Sequence, residues 1–127
     1  EAVQTSAKAE QTEDYFESAK KDRQKALVEA QETVEETLKS ADITDDERKS
    51  ALESVNKLSS RIEKANNIET LLKAKGFEKA VVVIGDTDVN VVVKSEGITT
   101  AQTLQIQDII TAQTEVALNN IKIVTVK

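Results

Sequence analysis

The sequence predicts an α+β fold, in which two long N-terminal helices precede a ββαβ unit and helices cover one face of a three-stranded sheet. Three observations predict it. Apolar residues recur at steps of three and four between residues 11 and 75, two valine-rich runs meet at a short turn, and a capped helical segment precedes a last alternating run. We divide the chain into a helical extension over residues 1–45, packed on the second helix, and an αββαβ domain over residues 45–127.

The first helix is predicted to begin after Glu10, whereas residues 1–10 show no periodicity and are expected to fray. The apolar stripe on the inner face of this helix is narrow, has several small alanines and includes an arginine. Its members are Phe16, Ala19, Arg23, Leu27, Ala30, Val34, Leu38 and Ala41. The adjacent Tyr15 and Phe16 cannot both face the second helix. One of them is therefore a candidate anchor for a partner, and the alternative is a tyrosine that lies on the helix surface.

The second helix is predicted to start at a capping box formed by Thr44 and Glu47 and to end at Gly76, with Phe77 after it as in a Schellman motif. Its apolar seam alternates steps of four and three: Val55, Leu58, Ile62, Ala65 and Leu72, with a glutamate at position 69. Ile68 and Leu71 lie off this seam. We interpret the drift as the last two turns facing a sheet.

Two strands are predicted over residues 79–84 and 89–95, joined as a hairpin by the turn 85–88. A second capping box at Thr99 and Gln102 opens a third helix, which Asn119 and Asn120 close, and residues 121–127 alternate as a final strand. The inner face of this helix is predicted to hold Ile106, Ile109, Ile110, Val116 and Ala117. Leu104 and Leu118 lie roughly opposite that face.

The composition argues against an enzyme, because the 127 residues include no Cys and no His. A Ser-Lys arrangement or a carboxylate pair is the catalytic alternative that these residues leave open, and no cofactor is predicted. The stretch from Asp86 through Asp88 to Asn90 resembles the opening of a calcium loop, yet Val91 and Gly97 stand where that loop needs Gly and Glu, so we predict no metal site. The net charge of −6, with both signs interleaved over the first 75 positions, argues against nucleic acid as a partner.

We therefore expect the chain to act by binding other proteins, because a three-stranded sheet leaves two edges that can accept another strand. Val92, Lys94, Lys122 and Val124 are the candidate contacts with a partner, together with Tyr15 and Phe16. Lys94, Lys122 and Lys127 can equally be guards against indiscriminate pairing. Leu104 and Leu118 are candidates for a contact between identical subunits; alternatively, Leu118 packs the helix end against the last strand and Leu104 is a single exposed leucine.

The second half of the chain carries a resemblance to a known family. The stretch Leu-Leu-Lys-Ala-Lys-Gly-Phe at 71–77, Ala-Val-Val-Val-Ile-Gly at 80–85, Val-Asn-Val-Val-Val-Lys at 89–94 and Ile-Lys-Ile-Val-Thr-Val-Lys at 121–127 resembles the extracytoplasmic domain of the stage III sporulation protein AH family. The resemblance extends over essentially all 127 residues, although the helical first half is generic. It implies a ring-building motif similar to the inner-membrane ring domains of type III secretion systems.

The same resemblance implies a non-catalytic role in a sporulation channel. The family partner is the forespore protein stage II sporulation protein Q, whose LytM-like domain would be bound across the space between mother cell and forespore, and a homo-oligomeric ring is a further implication. A transmembrane helix in the mother-cell membrane would precede the domain, in line with the absence of any Met at which translation could start. The alternative is a structural spacer or a lateral oligomerisation module without a heterologous partner.

Overall fold

The computed structural model describes the backbone of residues 2–127 and the side chains of residues 15–127. Over these residues the three α-helices and three strands follow one another in the order that the sequence predicts. A short 3₁₀ turn before the last strand was not predicted. Their bounds are α1 Ala2–Lys39, α2 Asp45–Ala74, β1 Ala80–Ile84, β2 Val89–Lys94, α3 Thr100–Gln113, the 3₁₀ turn Leu118–Asn120 and β3 Ile121–Val126.

Helix α1 is longer than the sequence predicts. It begins at Ala2, ahead of the start after Glu10 that the sequence predicts. Residues 2–9 include three alanines, and alanine favours the helix without needing a buried partner. The helix packs along α2, with Phe16 and Leu27 buried, and it also contacts β1 and β3.

Both ends of α2 are closed as the sequence predicts. The Thr44 hydroxyl accepts a hydrogen bond from the Glu47 N–H at 3.1 Å, and the Glu47 carboxylate accepts from the Thr44 N–H at 3.2 Å. At the other end Gly76 has φ +104°, which glycine adopts at little cost, and the Phe77 N–H donates to the Leu72 carbonyl at 3.2 Å. Phe77 is then buried in the core.

The sheet has the order β1-β2-β3, so β2 is the central strand. Strands β1 and β2 pair antiparallel, with Val82 opposite Val91, and β2 and β3 pair parallel, with Val91 opposite Ile123. A parallel connection needs a crossover, which α3 supplies between β2 and β3. The question that the sequence left open, which strand accepts the last one, is answered by this order.

The core lies between one face of the sheet and helices α2 and α3, as predicted. It is wholly aliphatic except for Phe77, and its buried members are Ala65, Ile68, Leu72, Phe77, Ala80, Val82, Val89, Val91, Val93, Ile106 and Ile110. Ile68 is fully buried, which agrees with the predicted turn of α2 toward the sheet, but Leu71 remains 40% exposed. On the opposite face Val81 is only 1% exposed, because α1 contacts β1 there.

Helix α3 is shorter than predicted. It ends at Gln113, where both the N–H and the hydroxyl of Thr114 donate to the Ile110 carbonyl. Val116 and Ala117 therefore lie outside the helix, although Val116 still packs against the core. The β-branched Thr114 and Val116 favour the extended connection that brings β3 alongside β2.

The Thr44 cap gives a test of the α2 boundary. Replacing Thr44→Ala removes the hydroxyl that accepts from Glu47 and is expected to lower the free energy of unfolding by about 1 kcal/mol. Thr44→Ser keeps the acceptor and serves as the control. Urea titration followed by circular dichroism measures both, and equal midpoints for the two variants would contradict the cap.

Candidate interaction surfaces

Side chains from both long helices bond the outward backbone groups of Val82, at the middle of β1, and we call this margin of the sheet the closed edge. The Lys94 N–H donates to the Lys79 carbonyl, so the backbone groups of Lys79 point toward β2. Backbone direction alternates along a strand, and the N–H and C=O groups of Val82, three residues later, therefore point away from β2. The Val82 N–H donates to Glu69 Oε2 at 2.8 Å, and Arg23 Nη1 donates to the Val82 carbonyl at 2.8 Å. Val82 therefore has no free group for another strand.

Arg23 and Glu69 also hold each other. Arg23 Nη1 lies 2.6 Å from Glu69 Oε2, and Arg23 Nη2 donates to Asn66 Oδ1 at 2.8 Å. Their side chains are only 12% and 6% exposed. This Arg23-Glu69 pair joins α1, α2 and β1 through charge-assisted hydrogen bonds, which are the stronger kind.

Cations outnumber carboxylates around this pair. The Lys20 ammonium group lies 3.9 Å from Glu69 Oε1. Partial burial lowers the pKa of Lys20 most strongly; the Glu69 carboxylate opposes this, whereas Lys73, Arg23 and Lys79 lower the pKa further. The single buried carboxylate of Glu69 thus attracts both Arg23 and Lys20 at the closed edge of the sheet.

The outer edge of β3 differs, because β3 pairs only with β2. The Val126 carbonyl accepts from the Ser95 N–H at 2.7 Å and so points toward β2. Backbone direction alternates along a strand, so the N–H and C=O groups of Ile121, Ile123 and Thr125 point away from β2. We call these groups, with the exposed side chains of Lys122 and Val124, the open edge.

An apolar row on the second face of the sheet leads to the open edge. Val81 lies opposite Val92, and Val92 lies opposite Val124. Exposure rises along the row, from 1% at Val81, through a half-buried Val92, to 41% at Val124. The row is thus covered at β1 and uncovered beside the open edge.

The four sheet residues predicted as partner contacts are therefore divided between two strands. Lys122 and Val124 lie on the open edge. Val92 and Lys94 lie on β2, which is paired on both sides, so neither can accept an added strand and the sequence-based placement of these two at an edge was wrong. The order of strands is a nonlocal property, which the pattern of the second run alone does not contain.

The two aromatic candidates also separate. Tyr15 is 48% exposed, but Phe16 is 2% exposed and belongs to the interior, so Phe16 is not available as an anchor. The rings contact each other edge to face, with centroids 5.8 Å apart. Only Tyr15 therefore remains a candidate contact.

Leu104 and Leu118 are 55% and 56% exposed. They do not share a helix face as the sequence suggested, because α3 ends at Gln113 and Leu118 begins the 3₁₀ turn before β3. Leu104 alone remains on the exposed side of α3.

Sequence reasoning missed the Arg23-Glu69 pair as a functional feature. The signal was present, since Arg23 occurs in the apolar stripe of α1 and Glu69 interrupts the seam of α2. Opposite charges on two faces that are expected to pack together indicate a buried pair. The bond from this pair to Val82 could not be inferred, because it depends on which strand lies under the helices.

A polar groove between α2, the β1–β2 turn and the segment after α3 holds Ser60 between Lys57 and Lys64. Among the described side chains no hydrogen bond joins Ser60 to either lysine, and both lysines are exposed. At the rim Asp86 binds Arg61, and this hydrogen bond holds the pKa of Asp86 below its usual value. Over the described residues no group of three or more metal-ligating side chains occurs. The groove offers no nucleophile paired with a base.

The helices over one sheet face, with a parallel last strand, define a small α+β module. The family model described as SpoIIIAH-like protein matches residues 1–123, and the chain belongs to this family. A search of curated proteins found no match. In the described part of the chain, no helix combines the length and apolar character needed to span a membrane.

Two solved structures are similar. One, described as the structure of the SpoIIQ-SpoIIIAH pore forming complex, shares 23% identity, covers 87% of this chain and 96% of that chain, and has a TM-score of 0.74. The other is the enteropathogenic E. coli type III secretion system protein EscJ, with 24% identity, coverage of 57% and 49%, and a TM-score of 0.51. At these identities the likeness establishes the fold, in agreement with the predicted ring-building motif.

The Arg23-Glu69 pair gives a stability test. Arg23→Leu leaves a buried carboxylate and the Val82 carbonyl without their main partner and is expected to cost about 3–5 kcal/mol of unfolding free energy. The double variant Arg23→Leu/Glu69→Leu should lose less than the sum of the single variants. Urea unfolding of the parent, the two single variants and the double variant measures this double-mutant cycle. Arg61→Leu, which removes an exposed ion pair with Asp86, is the matched control and should change little; strict additivity at Arg23 and Glu69 would contradict the pair.

Proposed function

We propose that this chain is a non-catalytic protein-protein interaction domain of a sporulation channel. It binds the LytM-like domain of stage II sporulation protein Q in the space between mother cell and forespore. Membership of the SpoIIIAH-like family supports this role, as does the similarity to a structure solved as a complex with SpoIIQ. A preceding transmembrane helix would anchor the domain in the mother-cell membrane.

The observation that carries the binding proposal is the contrast between the two edges of the sheet. Arg23 and Glu69 occupy the backbone groups of Val82 at β1, whereas the odd-numbered residues of β3 point their N–H and C=O groups outward. An added strand gains main-chain hydrogen bonds at such an edge, and pockets or apolar rows beside it give specificity. The partner strand therefore pairs with β3 and covers Val124, with Lys122 and Tyr15 as further contacts.

Lateral assembly into a ring is the second part of the proposal. The exposed Leu104 on α3 supports it, because a ring needs a heterologous surface separate from the partner-binding edge. The ring-building fold shared with EscJ is consistent with this role.

Thr125→Pro tests strand addition at the open edge. Proline removes the outward N–H at position 125 without removing a bond to β2, and it is tolerated at the outer side of an edge strand. Binding to the LytM-like domain should weaken roughly tenfold or more, as titration calorimetry would measure. Thr125→Val keeps the N–H and should bind like the parent; a folded Thr125→Pro variant with parental affinity would refute pairing at β3.

Val124→Asp tests the apolar row beside the open edge. The change places a charge where the partner is expected to cover an apolar side chain and should reduce capture of the LytM-like domain in a pull-down. Leu52→Asp is the matched control, because Leu52 is 42% exposed but lies on α2. Equal capture of both variants would place the partner elsewhere, and no capture of the parent protein would favour the structural spacer.

A further inference from the structure

One flank of α1 carries an exposed stripe that the partner-binding edge does not use. Its members follow one another at steps of three and four residues and so lie within about 80° of one another around the helix. All seven side chains are exposed. The stripe, which we call the α1 stripe, consists of Glu17, Lys21, Lys25, Val28, Glu32, Glu35 and Lys39.

The charges of the α1 stripe are not balanced by neighbouring elements. Among the described side chains, the ion pairs involve other residues. Lys21 lies one turn from Lys25, and Glu32 lies one turn from Glu35, so like charges are neighbours on both sides of Val28. At the two ends of the stripe, Glu17 with Lys21 and Glu35 with Lys39 are opposite charges four residues apart. Like charges at this spacing destabilise an isolated helix. Opposite charges from another molecule would relieve both repulsions.

The pattern is self-complementary when it is reversed. Charged residues that lie at equal distances before and after Val28, to within one residue, have opposite signs. The three pairs are Lys25 and Glu32, Lys21 and Glu35, and Glu17 and Lys39. Only an antiparallel arrangement of two identical helices converts this symmetry into contacts. A two-fold axis that passes beside Val28 satisfies this requirement.

We propose that the α1 stripe is an isologous contact between two copies of this chain, packed antiparallel. Lys21 then faces Glu35 of the second copy, Glu17 faces Lys39, and Lys25 lies beside Glu32. The two Val28 side chains, each 41% exposed in the single chain, cover each other at the centre. Because the contact closes on itself, it makes pairs of subunits and is distinct from a ring contact.

The overall charge distribution favours the same orientation. Residues 29–53 hold nine acidic and three basic side chains, and their net charge of −6 equals that of the whole chain. The remainder of the chain is therefore formally neutral. Parallel packing would bring two acidic hairpin ends together, whereas antiparallel packing sets each acidic end beside a neutral part of the other copy. Repulsion is lowest in the antiparallel pair.

The contact is expected to be weak and sensitive to salt. One valine per subunit buries little apolar area, and exposed ion pairs each contribute little because water and ions screen them. Sedimentation analysis of the parent domain at low salt should show reversible dimerisation in the upper part of the micromolar range or in the millimolar range. Added salt should suppress it.

Charge reversal gives the decisive test. Each of the double variants Lys21→Glu/Lys25→Glu and Glu32→Lys/Glu35→Lys places like charges opposite each other and should weaken self-association roughly tenfold or more. The quadruple variant with all four changes reverses both sides and restores the complementarity, so it should dimerise like the parent. An equimolar mixture of the two double variants should form heterodimers.

Folding and partner binding separate this proposal from the previous one. Circular dichroism should show that all variants are folded, since the four side chains are exposed, and each should bind the LytM-like domain with parental affinity. A parent that stays monomeric at every concentration and salt would overturn the two-fold contact. A quadruple variant that fails to dimerise, although both double variants lose dimerisation, would also overturn it.

Discussion

The bond network from Arg23 and Glu69 to Val82 is the constraint on which the rest of the structure depends. One carboxylate oxygen accepts from both the Arg23 guanidinium and the Val82 N–H, and the same guanidinium donates to the Val82 carbonyl. Removing these charges from water is costly, and the cost is recovered only if all three elements keep their geometry. The network therefore sets the position of both long helices relative to the first strand.

This constraint makes the two edges of the sheet unequal. A helix pair alone could cover the face of the sheet and leave both edges open, and each open edge would be a site for indiscriminate association. Here a polar pair satisfies the outward groups of Val82 at β1, while β3 has no strand on its outer side. A strand that pairs with this domain is therefore offered the free outer side of β3, which suits a specific partner better than two equivalent edges.

The sequence predicted the features that depend on local chemistry. Thr44 and Thr99 start α2 and α3, and Gly76 follows the end of α2, as the capping rules require. Alternating valines of β2 face the core because the period of a strand is two. What it could not supply was the spatial order of the strands. Val92 and Lys94 were placed at an edge from the pattern of their own strand. The crossover through α3 adds β3 beside β2, so the strand that holds them is the central one.

Two further misjudgements have the same origin. The isoleucine pattern of α3 continues through Val116, so the period alone does not reveal that Thr114 ends the helix; the need to reach β2 with a parallel strand decides it. The apolar pattern placed Phe16 and not Tyr15 on the inner face of α1, yet both rings were kept as candidate anchors. Their different exposure, 2% and 48%, follows from the rotation of α1, and Arg23 sets that rotation through its bonds to α2 and β1.

Arg23 also links the two proposed surfaces without making them compete. Its side of α1 must face α2 and β1, so the α1 stripe is held on another side of the helix and remains exposed. The open edge lies on β3, at the margin of the sheet opposite to the one that Arg23 closes. A subunit therefore offers the α1 stripe to a copy of itself and the outer side of its last strand to a different protein.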